Sequence, residues 1–295
     1  MFDYRYHALS LAAVLFALAL GVLIGVAIGD SNLVSSAKNG IVQNLNSEVS
    51  DQRATVARLQ ERLGNEQAFA NGLYPLAVHE LLGGRSIGLV FLGESSDQVN
   101  SLVRASVTEA GGNLATVVAV RVPLDLAGLA RAAAGTHYAA LGESSALLER
   151  FGTLAGRQLV SGGQLVAREL LSRVRGSLFS AFDGQLTRLE GLVLVRAHPD
   201  GLSAQASEAA AAFESGLLAG VSAVGVPAVG VELSKAEPSQ VPWYKEKRLS
   251  SVDDLDALAG QAALAYGLAG DRGTFGAKAT ADTLLPTLST GSAQP

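Results

Sequence analysis

The chain contains no cysteine, so it has neither disulfides nor thiolate metal sites. Its single methionine is Met1 and its single tryptophan is Trp243. The four histidines, His7, His79, His137 and His198, lie far apart and show no metal-ligand spacing. Charge is also sparse. A net charge of −5 over 295 residues lacks the concentrated basic surface that nucleic acid requires, so no nucleic-acid partner is expected. No GxSxG, P-loop, HExxH or GxGxxG sequence occurs, and the chain is read as not an enzyme.

What is present first is an uncharged, proline-free run from Ala8 to Gly29. As one helix it spans roughly 33 Å against roughly 30 Å of hydrocarbon. A signal sequence is the competing reading, but its apolar core is usually about 7–15 residues, shorter than this one. The run is therefore taken as a retained anchor, with residues 1–7 as a cytoplasmic tail. Arg5 on the N-terminal flank, against Asp30 on the other, favours the N-terminus inside and the bulk outside the cell membrane. Ala13, Ala17, Gly21, Gly25 and Gly29 recur every fourth residue, a ladder that lets two helix backbones approach in lipid. The plain alternative is that glycine and alanine are simply common in this chain.

Residues 30–40 read as a polar linker. A heptad pattern follows over 41–72, with Val42, Val49 and Val56 at a and Leu45 and Leu59 at d; Leu63 continues the a positions. β-branched a positions with leucine at d favour a parallel two-stranded coiled coil, at the cost of polar Gln52 and Glu66 in the seam. Ladder and heptads in tandem predict a parallel homodimer in a lipid bilayer. The bland reading of the second segment is an amphipathic helix packed on its own domain.

After Gly72 and Pro75, which punctuate the stalk, short apolar runs alternate with amphipathic helices. Strands are predicted over Ile87–Leu92, Leu114–Val120, Tyr138–Leu141, Leu192–Val195 and Ala223–Val231. Helices are predicted over Asp97–Ala110, Leu124–Ala133, Ser145–Ala155, Gln164–Arg173, Ser203–Leu218 and Leu255–Leu268, while 176–190 is ambiguous. The fold class is α/β: one transmembrane helix, a dimeric coiled coil, then a mostly parallel layered domain over 73–275 and a flexible tail over 276–295.

Ligands in such sheets sit at the carboxyl ends of strands. Glu94, Glu143 and His198 are the weak metal candidates there, with Ser95, Ser96, Ser144, Ser145 and Asp200 beside them. The run LGESS occurs twice, at 92–96 and 141–145, and reads as a βα turn used twice. Helix capping, with Ser95 and Gln98 as a capping box, is the competing account. Ser251-Val252-Asp253-Asp254-Leu255-Asp256 opens the last predicted helix, where acids suit the macrodipole. Trp243 and Tyr244, next to Lys245, Lys247 and Arg248, make a candidate partner surface; the alternative is a loop whose tryptophan tucks into the domain.

The opening YRYHALSLAAVLFALALGVLIG, with SSVDDLDALAGQAALAYGL and GAKATADTLLP near the end, resembles the MctB family of actinobacterial envelope proteins. The resemblance implies one membrane helix, a coiled coil and an extracytoplasmic α/β domain, with a role in copper efflux or homeostasis. Copper is the metal it implies, although no cofactor is read from the residues. Copper(I) prefers thiolate or thioether ligands, so here histidine and carboxylates, or a partner, would have to hold copper. SteB-like relatives imply the alternative: a scaffold regulating cell-wall separation through an envelope or cytoplasmic protein partner, without transport activity.

Overall fold

A computed structural model describes residues 4–29, 31–162 and 165–287, with backbone alone for 31–37 and 165–168. The chain divides into two compact units, 1–68 and 69–295.

The first unit is helical. α1 (Tyr4–Ile28) starts a turn before the expected span and buries none of its residues. Apolar residues, large and small, cover its whole circumference, which suits an apolar solvent rather than water. Cβ atoms added at Gly21 and Gly25 would meet nothing, so that stripe is open. α2 (Ser31–Val78) is one helix of 48 residues. The linker expected at 30–40 is therefore helical from Ser31 onward; Asp30 lies outside the described residues. The expected stop at Gly72 and Pro75 is passed as well, for α2 carries Pro75 inside it and ends three residues later. Val42, Leu45, Val49, Val56, Leu59 and Leu63 are each 41–57% exposed.

The second unit is built on a seven-stranded sheet, order β3-β2-β1-β4-β5-β6-β7. Its strands are β1 (Ser86–Gly93), β2 (Asn113–Val120), β3 (Phe179–Gly184), β4 (Gly191–Ala197), β5 (Ala228–Val231), β6 (Ser250–Val252) and β7 (Thr274–Phe275). All pairings are parallel except β2 with β3. Continuous apolar strands are what a sheet covered on both faces requires. In β1, Val90 and Leu92 enter one core cluster, and Leu89 and Phe91 the other.

The helices are α3 (Asp97–Glu109), α4 (Leu126–Ala132), α5 (Ser145–Ser161), α6 (Leu165–Leu178), α7 (Ala204–Val224), α8 (Val241–Glu246) and α9 (Leu258–Ala269). α3, α9 and the end of α2 cover one face, where Tyr266 donates from its hydroxyl to the Ala77 carbonyl at 2.9 Å. α4 to α8 cover the other. There α5 and α7 cross at near-backbone distance. Gly152 and Gly156 on α5 face Gly216 and Gly220 on α7, and a Cβ at any of the four would overlap a backbone carbonyl of the other helix.

Several sequence expectations fail for identifiable reasons. Tyr138–Leu141 is a series of turns, not a strand: Thr136 caps it, bonding the Ala133 carbonyl and the Tyr138 amide, and Tyr138 packs edge-on against Phe151. Residues 223 and 224 close α7 rather than open β5, because the helix runs to the left-handed cap Gly225. The ambiguous 176–190 supplies the end of α6 and the antiparallel edge strand β3. Residues 276–287, read as the start of a loose tail, form a strap held by named bonds described below, while 288–295 lie outside the described residues.

Candidate functional site

The strand order reverses between β1 and β4, where an open α/β sheet usually presents its crevice. Here the two strands stay paired to their ends. The Glu94 amide donates to the Ala197 carbonyl at 3.0 Å, and a Cβ at Gly93 would overlap the same oxygen. The positive φ of Gly93 (120°) and its missing side chain let the two strand ends meet. Glu94 and Glu143 are both exposed, and among the described residues no group of three or more His, Asp or Glu side chains is placed to hold a metal. The expected convergence of Glu94, Glu143 and His198 on a cation is thus corrected.

The serines cap helices, but not as a repeated unit. Ser96, not Ser95, accepts from the Val99 amide at the start of α3. In the second copy Ser144 caps α5 through the Leu147 amide, one position earlier in the run, and no strand precedes it. Ser145 instead donates to Glu208. Asp200 is exposed in a turn.

Polar side chains do gather further along the carboxyl edge, on the face covered by α7 and α8. Leu194 is level with Gly230, and Val231 with Val252. Continuing those registers two or one residues on puts Arg196, Glu232 and Asp253 in a row across β4, β5 and β6. Each has a defined set of partners. Arg196 donates to Glu214 at 3.4 Å, to the Gln240 side-chain oxygen at 2.7 Å and to His198 Nδ1 at 3.1 Å, and its guanidinium lies 5.0 Å over the Trp243 ring. Arginine only donates, so Nδ1 of His198 is the acceptor and Nε2 carries the proton given to Glu214. Both ring nitrogens are engaged, which leaves no lone pair for a metal. The weak candidate His198 is therefore a neutral relay between a guanidinium and a buried carboxylate.

Tyr244, expected on a partner surface, is fully buried. Its ring fills the space left by Gly230, and its hydroxyl accepts from the Arg196 amide at 3.0 Å, within donating reach of the carbonyls of Leu194 and Val231. Burial pushes this phenol well above its usual range, so it stays a donor. Trp243 is half-buried beside it.

The next part of the row holds the C-terminal strap. Glu232 accepts from Ser239 at 2.8 Å, from the Gln240 amide at 2.5 Å and from Lys278 Nζ at 2.6 Å. The same ammonium donates to the carbonyls of Leu233 and Ala236 at 3.2 and 2.8 Å. Asp253 Oδ1 accepts from the amides of Ala277 and Lys278 at 2.9 and 3.3 Å. Asp282 bonds Thr274 and the ammonium of Lys245, and these contacts, Lys245 first, hold its carboxyl below the usual carboxylate range. The acidic run at 251–256 therefore does not open a helix. Ser251 belongs to β6, Asp253 and Asp254 end it, and α9 starts at Leu258 with no side-chain cap.

Asp254 is buried with one carboxyl oxygen unpartnered. Burial, then the charges of Asp253 and Asp256, raise its pKa to about 6. Against the upward pull of its own burial, hydrogen bonds from the Ser234 hydroxyl and amide keep Asp256 below the usual carboxylate range. The raised group binds its proton more tightly folded than unfolded. Its contribution to stability is thus complete below about pH 4 and is lost as pH rises through about 6. Asp254→Asn is expected to flatten that fall and to make the protein about 1–2 kcal/mol more stable at pH 7.5, read by urea unfolding at several pH values. A variant curve parallel to that of the parent would show that another group carries the slope.

Glu214, Arg196, Glu232 and Lys278 were not singled out in the sequence. Glu214 had left a trace: it shares the helical stripe of Ala210, Phe213 and Leu217, so a carboxylate faces the core and requires a partner.

A family model described as "Copper transport outer membrane protein, MctB" matches residues 1–286 of the chain. Copper transporter MctB of Mycobacterium leprae (strain TN) is 29% identical over 120 residues, 41% of this chain and 38% of that protein. The match thus spans well under half of the relative's length.

Proposed function

The chain belongs to the MctB family of copper transport outer membrane proteins, and from that membership we propose a membrane-anchored envelope protein with a role in copper efflux or homeostasis. The observation that carries the reading is the family match over nearly the whole length, coupled to one apolar helix of 25 residues at the start. The one such helix among the described residues encloses no channel by itself. We therefore assign copper handling to the second unit and a partner, with the N-terminus in the cytoplasm and that unit outside. A deletion strain is expected to lose copper tolerance and accumulate copper, with recovery by the intact gene. Unchanged tolerance and copper content would sink the assignment.

The alternative is a SteB-like scaffold that regulates cell-wall separation through a protein partner. It is favoured by the engaged nitrogens of His198 and by the absence of a three-ligand cluster among the described residues. Normal copper handling with a cell-separation defect in the same strain would select it.

In both readings the chain is a parallel homodimer. The exposed seam of α2 and the open small-residue stripe of α1 support this. Because the chain lacks cysteine, Val49→Cys would be its single thiol. Mild oxidation in membranes is expected to cross-link most of the protein as a dimer, while Cys at Asp51 on the outer face should not. Equal cross-linking at both positions would remove the coiled coil.

A further inference from the structure

On the opposite rim of the sheet, a cavity of about 350 Å³ lies at the amino ends of β5 and β6. Its wall includes Arg248, Arg272, Asp271 and Ser222, beside the caps Gly225 and Gly270 that end α7 and α9. Neither guanidinium, nor the Asp271 carboxylate, has a side-chain partner among the described residues, and both arginines are exposed. Arg248 is also strained. It follows the C-cap of α8 with φ 59°, and the Leu249 amide bonds back to the Tyr244 carbonyl, the wrap that ends a helix in a left-handed residue. Glycine suits that position best. An arginine kept there at conformational expense, with its side chain free in a cavity wall, points to use of the side chain.

We propose that this cavity binds a small free zwitterion. An oxyanion, phosphate or carboxylate, lies between the Arg248 and Arg272 guanidiniums, whose planar forks suit it. An ammonium faces Asp271 and the carbonyl ends of α7 and α9, where the helix dipoles leave partial negative charge. The lining thus carries both basic and acidic groups. The volume corresponds to about ten water molecules, room for a ligand of roughly that many heavy atoms. The site is separate from the carboxyl-edge network and stands whichever role the protein has in copper handling.

The test is titration calorimetry on the full chain in a phosphate-free, uncharged detergent, with phosphoethanolamine, inorganic phosphate and ethanolamine as probes. Phosphoethanolamine is expected to bind at least about tenfold tighter than either fragment. Arg272→Gln should weaken it about tenfold or more. Arg248→Gly should raise the melting temperature by a few degrees and yet weaken binding, so that loss of fold does not explain the loss of ligand. Asp271→Asn should weaken phosphoethanolamine and strengthen inorganic phosphate. Repeating the titration in phosphatidylethanolamine nanodiscs separates sources: an undiminished signal supports a free ligand, and competition by the bilayer overturns that part. No saturable heat with phosphoethanolamine, equal affinity for inorganic phosphate, or unchanged affinity in Arg272→Gln would overturn the proposal.

Discussion

Replacing Gly216 by alanine is expected to cost about 3 kcal/mol or more of stability, although one methyl group is all that is added. The new Cβ would overlap the Glu149 carbonyl oxygen on α5. That oxygen belongs to a helix backbone, which has no rotamer by which to retreat, so the two helices must separate. The crossing has Gly152, Gly156, Gly216 and Gly220 at its contact, and Phe151, Phe213 and Leu217 pack beside it; separation would open that core as well. The same substitution at Gly176 has the opposite sign. Gly176 lies within α6, is exposed, and a Cβ there meets nothing. Alanine is the better helix former by about 1 kcal/mol, so Gly176→Ala should stabilise modestly. Urea unfolding of both variants reads the contrast. Small shifts of like sign would mean that α5 and α7 do not approach as described.

This crossing shows what was legible in the sequence and what was not. Small residues every fourth position stand out in α1, within an unbroken apolar run, and not in α5 or α7, where the same spacing brings two helices together inside a mixed sequence. Strands β1, β2 and β4 were legible because both faces are covered and their apolar runs are unbroken. β6 and β7, at three and two residues, are too short for any period to register; SSV is placed by pairing with β5, and TF by pairing with β6. This shortness also explains why Asp253 and Asp254 read as helix acids. With β6 unseen, the next helix pattern claimed them. The positional rule for α/β sheets led to the carboxyl edge, where charged groups do collect. It pointed to Glu94 and Glu143 because their turns are local in sequence. The residues that meet, Arg196, Glu214, Glu232, Asp253 and Lys278, come from five separate segments, and long-range pairing of that kind leaves no local pattern. Trp243 and Tyr244 were adjacent aromatics beside charges, and sequence alone does not show that Gly230 leaves a space for one ring and not the other.

Lys278→Met gives the second large effect. Among the described residues, the ammonium of Lys278 is the cation paired with Glu232, a carboxylate only 4% exposed, at 2.6 Å. Removing it leaves the Ser239 hydroxyl and Gln240 amide to face a buried charge, and takes the ammonium away from the carbonyls of Ala236 and of Leu233, the latter keeping the Ala236 amide. Breaking a buried pair from one side typically costs about 3–5 kcal/mol, and Lys278, 20% exposed, places the expected loss near 3 kcal/mol. Glu232→Gln should cost less, because Lys278 keeps two carbonyls and some water. The double variant should recover at least about 1 kcal/mol relative to the sum of the singles, since it removes both members of one coupled pair. The strap should report the same event locally. Amide exchange at Ala277 and Lys278, whose N–H groups bond Asp253, should accelerate in Lys278→Met at denaturant concentrations where the sheet remains protected. Strictly additive losses, with unchanged exchange over 276–287, would mean that Lys278 does not latch the strap and that Asp253 and the Asp282 contacts hold it alone.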